Sequence, residues 1–279
     1  MRLGSHLFNA GSADEKTAKG NMMRNSDKGP LVALSDIPAA IGLLTRLPVR
    51  VDTDRATARG AAAAWAYPIV GLIVGGIAAI GMIIAGAIGL PASAVALIGV
   101  ATVTIITGAM HEDGLADTAD GLWGGWDPVH RLKIMKDTYI GTYGVIAIVL
   151  SLVMRWLLLT ELVDLGAGTA LIAAAMLSRA AMVGVMAWLP NARESGLSRA
   201  VGRPTLAVTL IAVAIAAVGA IGFIGLLGVF AAAAVFVTAA GCGAIAKTKI
   251  GGQTGDILGF VQQMTEISVL LYLIATLAG

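Results

Sequence analysis

From residue 31 onward the chain is a succession of long apolar runs broken by short polar loops. A bilayer core takes about 20 apolar residues per helix. The runs 61–89, 92–110, 141–160, 167–190 and 258–278 each suit one such helix. The 42-residue run 205–246 is long enough for two, bent near 222–225. The pattern therefore predicts an all-α polytopic membrane bundle of about seven transmembrane helices. Segment 31–47 is apolar but carries Asp36, Pro38 and Arg46, with Pro48 following. It suits an N-terminal interfacial helix better than a span. Residues 1–30 are polar and mixed in charge, and read as a disordered extension outside the functional unit. They hold no apolar stretch, so no cleaved signal peptide is expected. Residues 31–279 form a single integral-membrane catalytic domain in this reading.

The loops divide by charge. Arg46, Arg50, Arg55 and Arg59 precede the first span, and Arg131, Lys133 and Lys136 follow the second. Arg193, Arg199 and Arg203 follow the fourth, and Lys247 and Lys249 the sixth. The alternate loops, near 90–91, 161–166 and 222–225, hold no Lys or Arg. Positive residues favour the cytoplasmic side, so every long polar loop is expected there, with the C-terminus outside. An alternating-access carrier would show paired broken helices in two repeated halves. No such repeat is visible, and one-sided loops suit an enzyme opening to the cytoplasm.

Composition narrows the class further. Hydrophobic residues make up 57% and charged residues 13%, about half the roughly 25% charged content of soluble domains. That excludes a soluble globular domain, a disordered chain and a nucleic-acid binder driven by basic charge. The 36 glycines suit close helix approach in a membrane. The single cysteine, Cys242, rules out an intramolecular disulfide.

The chemistry concentrates in 107–121, TGAMHEDGLADTADG. Asp113, Asp117 and Asp120 fall at i, i+4 and i+7, on one face of a helix. His111 and Glu112 flank them. Like charges at a membrane helix end call for a counter-charge, and hard oxygen ligands suit Mg²⁺ or Mn²⁺ rather than Zn²⁺. A solvated acidic loop is the plainer alternative. The interleaved Ala, Leu and Gly, and Gly114 and Gly121 behind Asp residues, favour a packed helix.

Further along, Arg131, Lys133, Lys136 and Asp137 make a mixed patch suited to a diphosphate, although the first three also satisfy the positive-inside pattern. Arg179 lies mid-span in 167–190 and Glu266 about nine residues into the last span. Intramembrane charges mark functional sites by default. Arg179 is expected to face the interior and meet phosphate, Glu266 or the acidic cluster; a structural Arg179–Glu266 pair is the alternative. Arg155, nearer the outer end of its helix, is expected to snorkel. In 247–259, KTKIGGQTGDILG, backbone N–H groups at a helix start could hold an anion, or Asp256 could cap the helix.

The order LTRLPV (44–49), HEDGLADTADG (111–121), IMKDTYIGTYGV (134–145), LSRA (177–180) and GGQTGD (251–256), with Glu266 after it, resembles the cobalamin synthase family, the adenosylcobinamide-GDP ribazoletransferases. The likeness runs from about residue 34 to 276. It implies an integral membrane enzyme of the bacterial inner membrane, part of cobalamin biosynthesis. Such an enzyme uses Mg²⁺ to join adenosylcobinamide-GDP to α-ribazole, or its 5′-phosphate, with release of GMP. A ribose hydroxyl attacks the cobinamide-side phosphorus. On that reading Asp113, Asp117 and Asp120 hold metal, one of them or Glu112 serves as general base, and Lys133, Lys136 and Arg179 contact phosphate. Asp137, Asp256 and Glu266 complete the site. The partners implied are these two substrates and the lipid bilayer, with no nucleic acid; a homo-oligomer stays open. A CDP-alcohol phosphotransferase is the competing enzyme, but its D-G-x-x-A-R pattern meets D-G-L-A-D here and lacks the arginine. A divalent-cation transporter needs polar residues through the full membrane depth, which the outer helix halves lack.

Overall fold

The computed structural model describes residues 29–278. The expectation for the polar N-terminal extension lies almost wholly outside them. The described residues are helical, with one isolated parallel β-bridge between Asn191 and Gln253. Two short helices come first, α1 (Asp36–Leu44) and α2 (Thr53–Arg59), then a 3₁₀ segment (Gly60–Ala66) running into α3 (Tyr67–Ala87). Next are α4 (Ala92–Thr107), α5 (Met110–Gly124), α6 (Pro128–Ile134), α7 (Thr142–Asp164) and α8 (Ala170–Trp188). A short α9 (Leu197–Val201) precedes α10 (Leu206–Ile224), α11 (Leu227–Ile250) and α12 (Gly255–Leu277).

Six helical stretches are long and apolar enough to cross a membrane: Thr53–Ala87, α7, α8, α10, α11 and α12. The bent pair α4–α5 makes a seventh. The 205–246 run divides as the pattern predicts, at Gly225, whose φ of +62° suits glycine. Segment 31–47 becomes the nine-residue α1. Asp36 in it is fully buried, which a surface helix would not require. Burial alone pushes its carboxyl up. Hydrogen bonds from Arg59 and Trp65 Nε1 and the backbone N–H of Ala33 overcome this and hold it below the usual carboxylate range. The pair with Arg59 thus ties α1 to the entrance of the first span.

The core is built around α8. Of its membrane window 83% is buried, against 22% for α10. Its run of alanines lets neighbours approach backbone to backbone. Gly71 of α3 touches the backbone of Ala175 and Met176. A Cβ at Gly75 would lie 2.8 Å from the Ile172 Cα. Small residues at these crossings are therefore a steric requirement rather than a compositional accident.

The α4–α5 junction positions the acidic segment. Gly108 ends α4 in the left-handed conformation (φ +64°), and Ala109 follows with φ +56°. Left-handed backbone costs a non-glycine residue about 1 kcal/mol or more. The two residues turn the chain by 85° between α4 and α5. The second predicted span, 92–110, therefore stops at Thr107, and α5 sets off in a new direction as a packed helix.

Candidate functional site

The polar loops predicted to share one face do gather there. Arg131 Nη1 donates to the Lys249 carbonyl at 3.0 Å, and Arg193 Nη2 to the Leu132 carbonyl at 3.3 Å. The loops after α8 and α11 are joined by backbone bonds, Ala192 N to Gln253 O (2.9 Å) and Gln253 N to Pro190 O (2.8 Å). Side chains reinforce the seam. Gln253 Nε2 donates to Asn191 Oδ1 at 2.7 Å, and the Ser198 hydroxyl donates to Gln253 Oε1 at 2.5 Å. Gly252 packs on the Pro190 carbonyl with no room for a Cβ.

Beneath this seam lies a cleft of about 190 Å³. Its acidic part comes from α5 and α12. These helices cross at two glycines: a Cβ on Gly114 would sit 2.8 Å from the Asp256 carbonyl, and one on Gly259 3.1 Å from the His111 carbonyl. The crossing brings Asp113, which is exposed, and Asp256 to the cleft wall. Asp117, partly exposed one turn further along α5, feels the charges of Asp256, Asp113 and Asp120 as well as Arg193. Arg193 is the local counter-charge, 3.0 Å from Asp256 Oδ2. Thr254, not Asp256, caps α12, accepting from Ile257 N at 3.3 Å. That leaves the Asp256 carboxylate to Arg193 and the Thr254 hydroxyl (3.2 Å).

Asp120 is placed differently from the other two aspartates. It is buried, and its two oxygens accept from Gly141 N (2.7 Å) and Gly144 N (2.9 Å). It holds the start of α7, and Gly141 and Gly144 leave no space there for a Cβ. Lys133, Lys136 and Asp137 lie exposed on α6 and the loop after it. Among the described residues they form no ion pair, and they do not line the cleft. The structure thus brings Asp113 and Asp256 to one cleft wall, with Asp117 one turn along α5 and outside the lining, and leaves Lys133, Lys136 and Asp137 at the rim.

A second polar layer lies deeper, between α5, α7, α8 and α12. Glu266 is ten residues beyond Asp256 on α12, about 15 Å along the axis. Arg155 does not snorkel. It is 1% exposed, donating to Glu112 Oε1 at 2.7 Å and to Glu266 Oε1 at 3.1 Å. α7 runs on to Asp164, so Arg155 sits deeper than the apolar run implied, facing two carboxylates. The expected Arg179–Glu266 pair is therefore replaced: Glu266 binds Arg155 and accepts from Gln262 Nε2 at 2.6 Å. Arg179 is fully buried as predicted. Its Nη1 donates to the Ala175 carbonyl at 3.0 Å, while Nε and Nη2 have no partner among the described residues. Gln263 Nε2 donates to Glu112 at 3.2 Å and its carbonyl oxygen accepts from Ser151 at 2.9 Å, completing the layer. Two arginines and two glutamates balance in charge. Charge neutrality inside the membrane is the signal by which Arg155 could have been matched to Glu112 and Glu266. Arg193, Asn191, Ser198 and Gln253 carried no such signal, being ordinary loop residues until the fold joins their loops.

Among the described residues no three Asp, Glu, His or Cys side chains converge into a ready-made metal cage. Mg²⁺ does not need one. It is commonly bound through one or two carboxylates plus substrate phosphates, keeping several waters. Asp113 and Asp256, hard oxygen donors on one cleft, fit that mode, with Asp117 one turn further along α5.

Fold and site together define a polytopic integral membrane protein with an acidic cleft, walled by polar loops, at one end of its helix bundle. Residues 36–274 match the family described as cobalamin-5-phosphate synthase, and the chain belongs to that family. It is 44% identical over 251 residues to an adenosylcobinamide-GDP ribazoletransferase of Mesorhizobium japonicum, covering 88% of this chain and 95% of that one. It is 40% identical over 241 residues to the enzyme of the same name from Bradyrhizobium diazoefficiens, covering 85% and 92%. With that of Brucella ovis it shares 38% over 261 residues, 88% and 98% of the two chains. No solved structure matches the chain.

Proposed function

We propose that this chain transfers the adenosylcobinamide-phosphate group of adenosylcobinamide-GDP to the ribose hydroxyl of α-ribazole or its 5′-phosphate. The products are adenosylcobalamin or its phosphate, and GMP. The observation that carries the reading, beside family membership, is the placement of Asp113 and Asp256 with Arg193 at one loop-walled cleft, with Asp117 one turn further along α5 and within reach of their charges. Displacement at a diphosphate is helped mainly by positioning and by charge placed against the phosphoryl oxygens.

Asp113, Asp117 and Asp256 would hold Mg²⁺, which when bound neutralises charge developing on the diphosphate. Arg193 exchanges its Asp256 partner for a phosphate oxygen and fixes the diphosphate as a planar donor fork. Asp113 is the exposed carboxylate of the set and stands closest in role to a base for the attacking hydroxyl. Asp120 orients the start of α7 rather than reaching substrate. Lys133 and Lys136 attract the anionic donor from the rim. Glu112 and Glu266, tied to Arg155, keep α5 and α12 in register. The arginine and lysine content of the cleft-side loops supports a cytoplasmic active site in the inner membrane.

The test uses purified, detergent-solubilised protein with adenosylcobinamide-GDP, α-ribazole and Mg²⁺. GMP and a complete corrinoid should appear together, and both should vanish with EDTA. Folded protein that yields neither would return the weight to a lipid-nucleotide donor.

A further inference from the structure

The cleft has a second character besides its carboxylates. Helices α1, α3 and α8 contribute Leu43, Leu44, Tyr67, Met182 and Met186, and α12 adds Leu258. All but Leu43 are buried within the fold, Met186 to 1% exposure and Met182 to 4%. Asp113, Asp256 and Arg193 line the same space. A volume of about 190 Å³, below the roughly 300–1,000 Å³ of drug-sized pockets, suits a single ring system.

The two substrates differ in which ring could enter. Guanine carries hydrogen-bonding groups around its edge, and burying them without partners is costly. Of the polar side chains on the cleft wall, Asn191, Ser198 and Gln253 bond one another, and buried His111 offers only its Nε2, unpartnered among the described residues, against the several groups of a guanine edge. Dimethylbenzimidazole has an apolar edge with two methyl groups, which gains from burial. Thioether sulfurs and a tyrosine ring suit its aromatic face. Its ribose would extend from there into the same cleft that Asp113 and Asp256 line.

We infer that the Met182–Met186 end of the cleft is the seat of the acceptor's benzimidazole, and that these two methionines set the preference for an apolar base. This rests on the reaction proposed above. The apolar wall favours the benzimidazole over the donor's guanine, which assigns the GMP half of the donor to the loop-walled mouth.

The experiment compares α-ribazole with its analogue lacking the two ring methyls, using the full-length protein in detergent. Burying the two methyls should give α-ribazole an acceptor KM about 10-fold lower than the analogue's. Met186→Gln should bring the two acceptors within about threefold of each other, by placing an amide against the methyls. The KM for adenosylcobinamide-GDP should not move, and Met186→Leu, which keeps an apolar wall, should keep the preference for the methylated acceptor. Leu43→Gln, at a partly exposed position that tolerates a polar group, gives the same readout if Met186→Gln does not fold. A methyl effect that persists in both Gln variants, or a donor KM that rises in place of the acceptor's, overturns the inference. Titration of α-ribazole and its analogue without donor separates the two readings. Methyl-dependent binding with no turnover would sink the reaction and keep the seat. Turnover with a methyl effect blind to these substitutions would sink only the seat.

Discussion

At the scale of single residues, charge burial decides the roles. Arg155 compensates two carboxylates that lie far from water. Removing one partner of a buried pair costs about 3–5 kcal/mol, whereas removing charge from all partners together is often neutral. Arg155→Met should therefore lower the melting temperature in detergent sharply, and Arg155→Met with Glu112→Gln and Glu266→Gln should recover most of it. The aspartates of α5 should separate by the same measurement. Asp120→Ala strips two backbone N–H groups of their acceptor and should cost about 1–3 kcal/mol of stability. Asp117→Asn, at a partly exposed position that accepts no hydrogen bond among the described residues, should leave melting nearly unchanged and abolish Mg²⁺-dependent GMP release. Full activity in Asp117→Asn would remove it from the metal site. The sequence presented these three carboxylates as equivalent members of one face. Only the arrival of Gly141 and Gly144, more than twenty residues on, distinguishes Asp120.

At the scale of elements, the site exists because α5 and α12 touch at Gly114 and Gly259. A larger residue must push the helices apart. Gly114→Val should open the crossing and move Asp113 and Asp117 away from Asp256. The expected result is a loss of catalytic rate of about 100-fold, as positioning errors near 1 Å produce, in protein that still inserts. An active Gly114→Val enzyme would mean that Asp256 is not part of the working cluster. The hairpin of α10 and α11 was legible from the 205–246 run because Gly225 stands where the turn must be. The 85° break between α4 and α5 was less so. Gly108 announces a helix end, but nothing local to Ala109 demands a left-handed backbone there. Contact with the rest of the fold holds it, including Arg46 packed against Gly108.

At the scale of the whole molecule, the loops carrying Arg131, Arg193 and Lys249 meet at one end of the bundle, and the alternation of spans puts the turns near 88–91, 165–169 and 225–226 at the other. Cysteines introduced at Ser195 and at Gly166 should therefore be labelled by an impermeant maleimide from opposite sides of sealed vesicles. Ser195→Cys should react from the cytoplasmic side. The native Cys242 is buried and should contribute little background. Labelling of both from one side would break the topology on which the orientation of the cleft depends.

Hydropathy and residue spacing were enough to indicate a helical membrane protein, its number of candidate spans within one and the acidic segment at its centre. These are properties of short stretches of chain, set by the cost of placing polar groups in hydrocarbon and by the 3.6-residue turn. Tertiary structure alone decided which charges neutralise which. It paired Arg155 with Glu112 and Glu266 and left Arg179 apart. It turned Asp120 to the start of α7 and carried Asp256 and Arg193 to Asp113. Such pairings join residues more than a hundred positions apart in some cases. They depend on where small residues let helix backbones meet, and no local pattern of the chain records that.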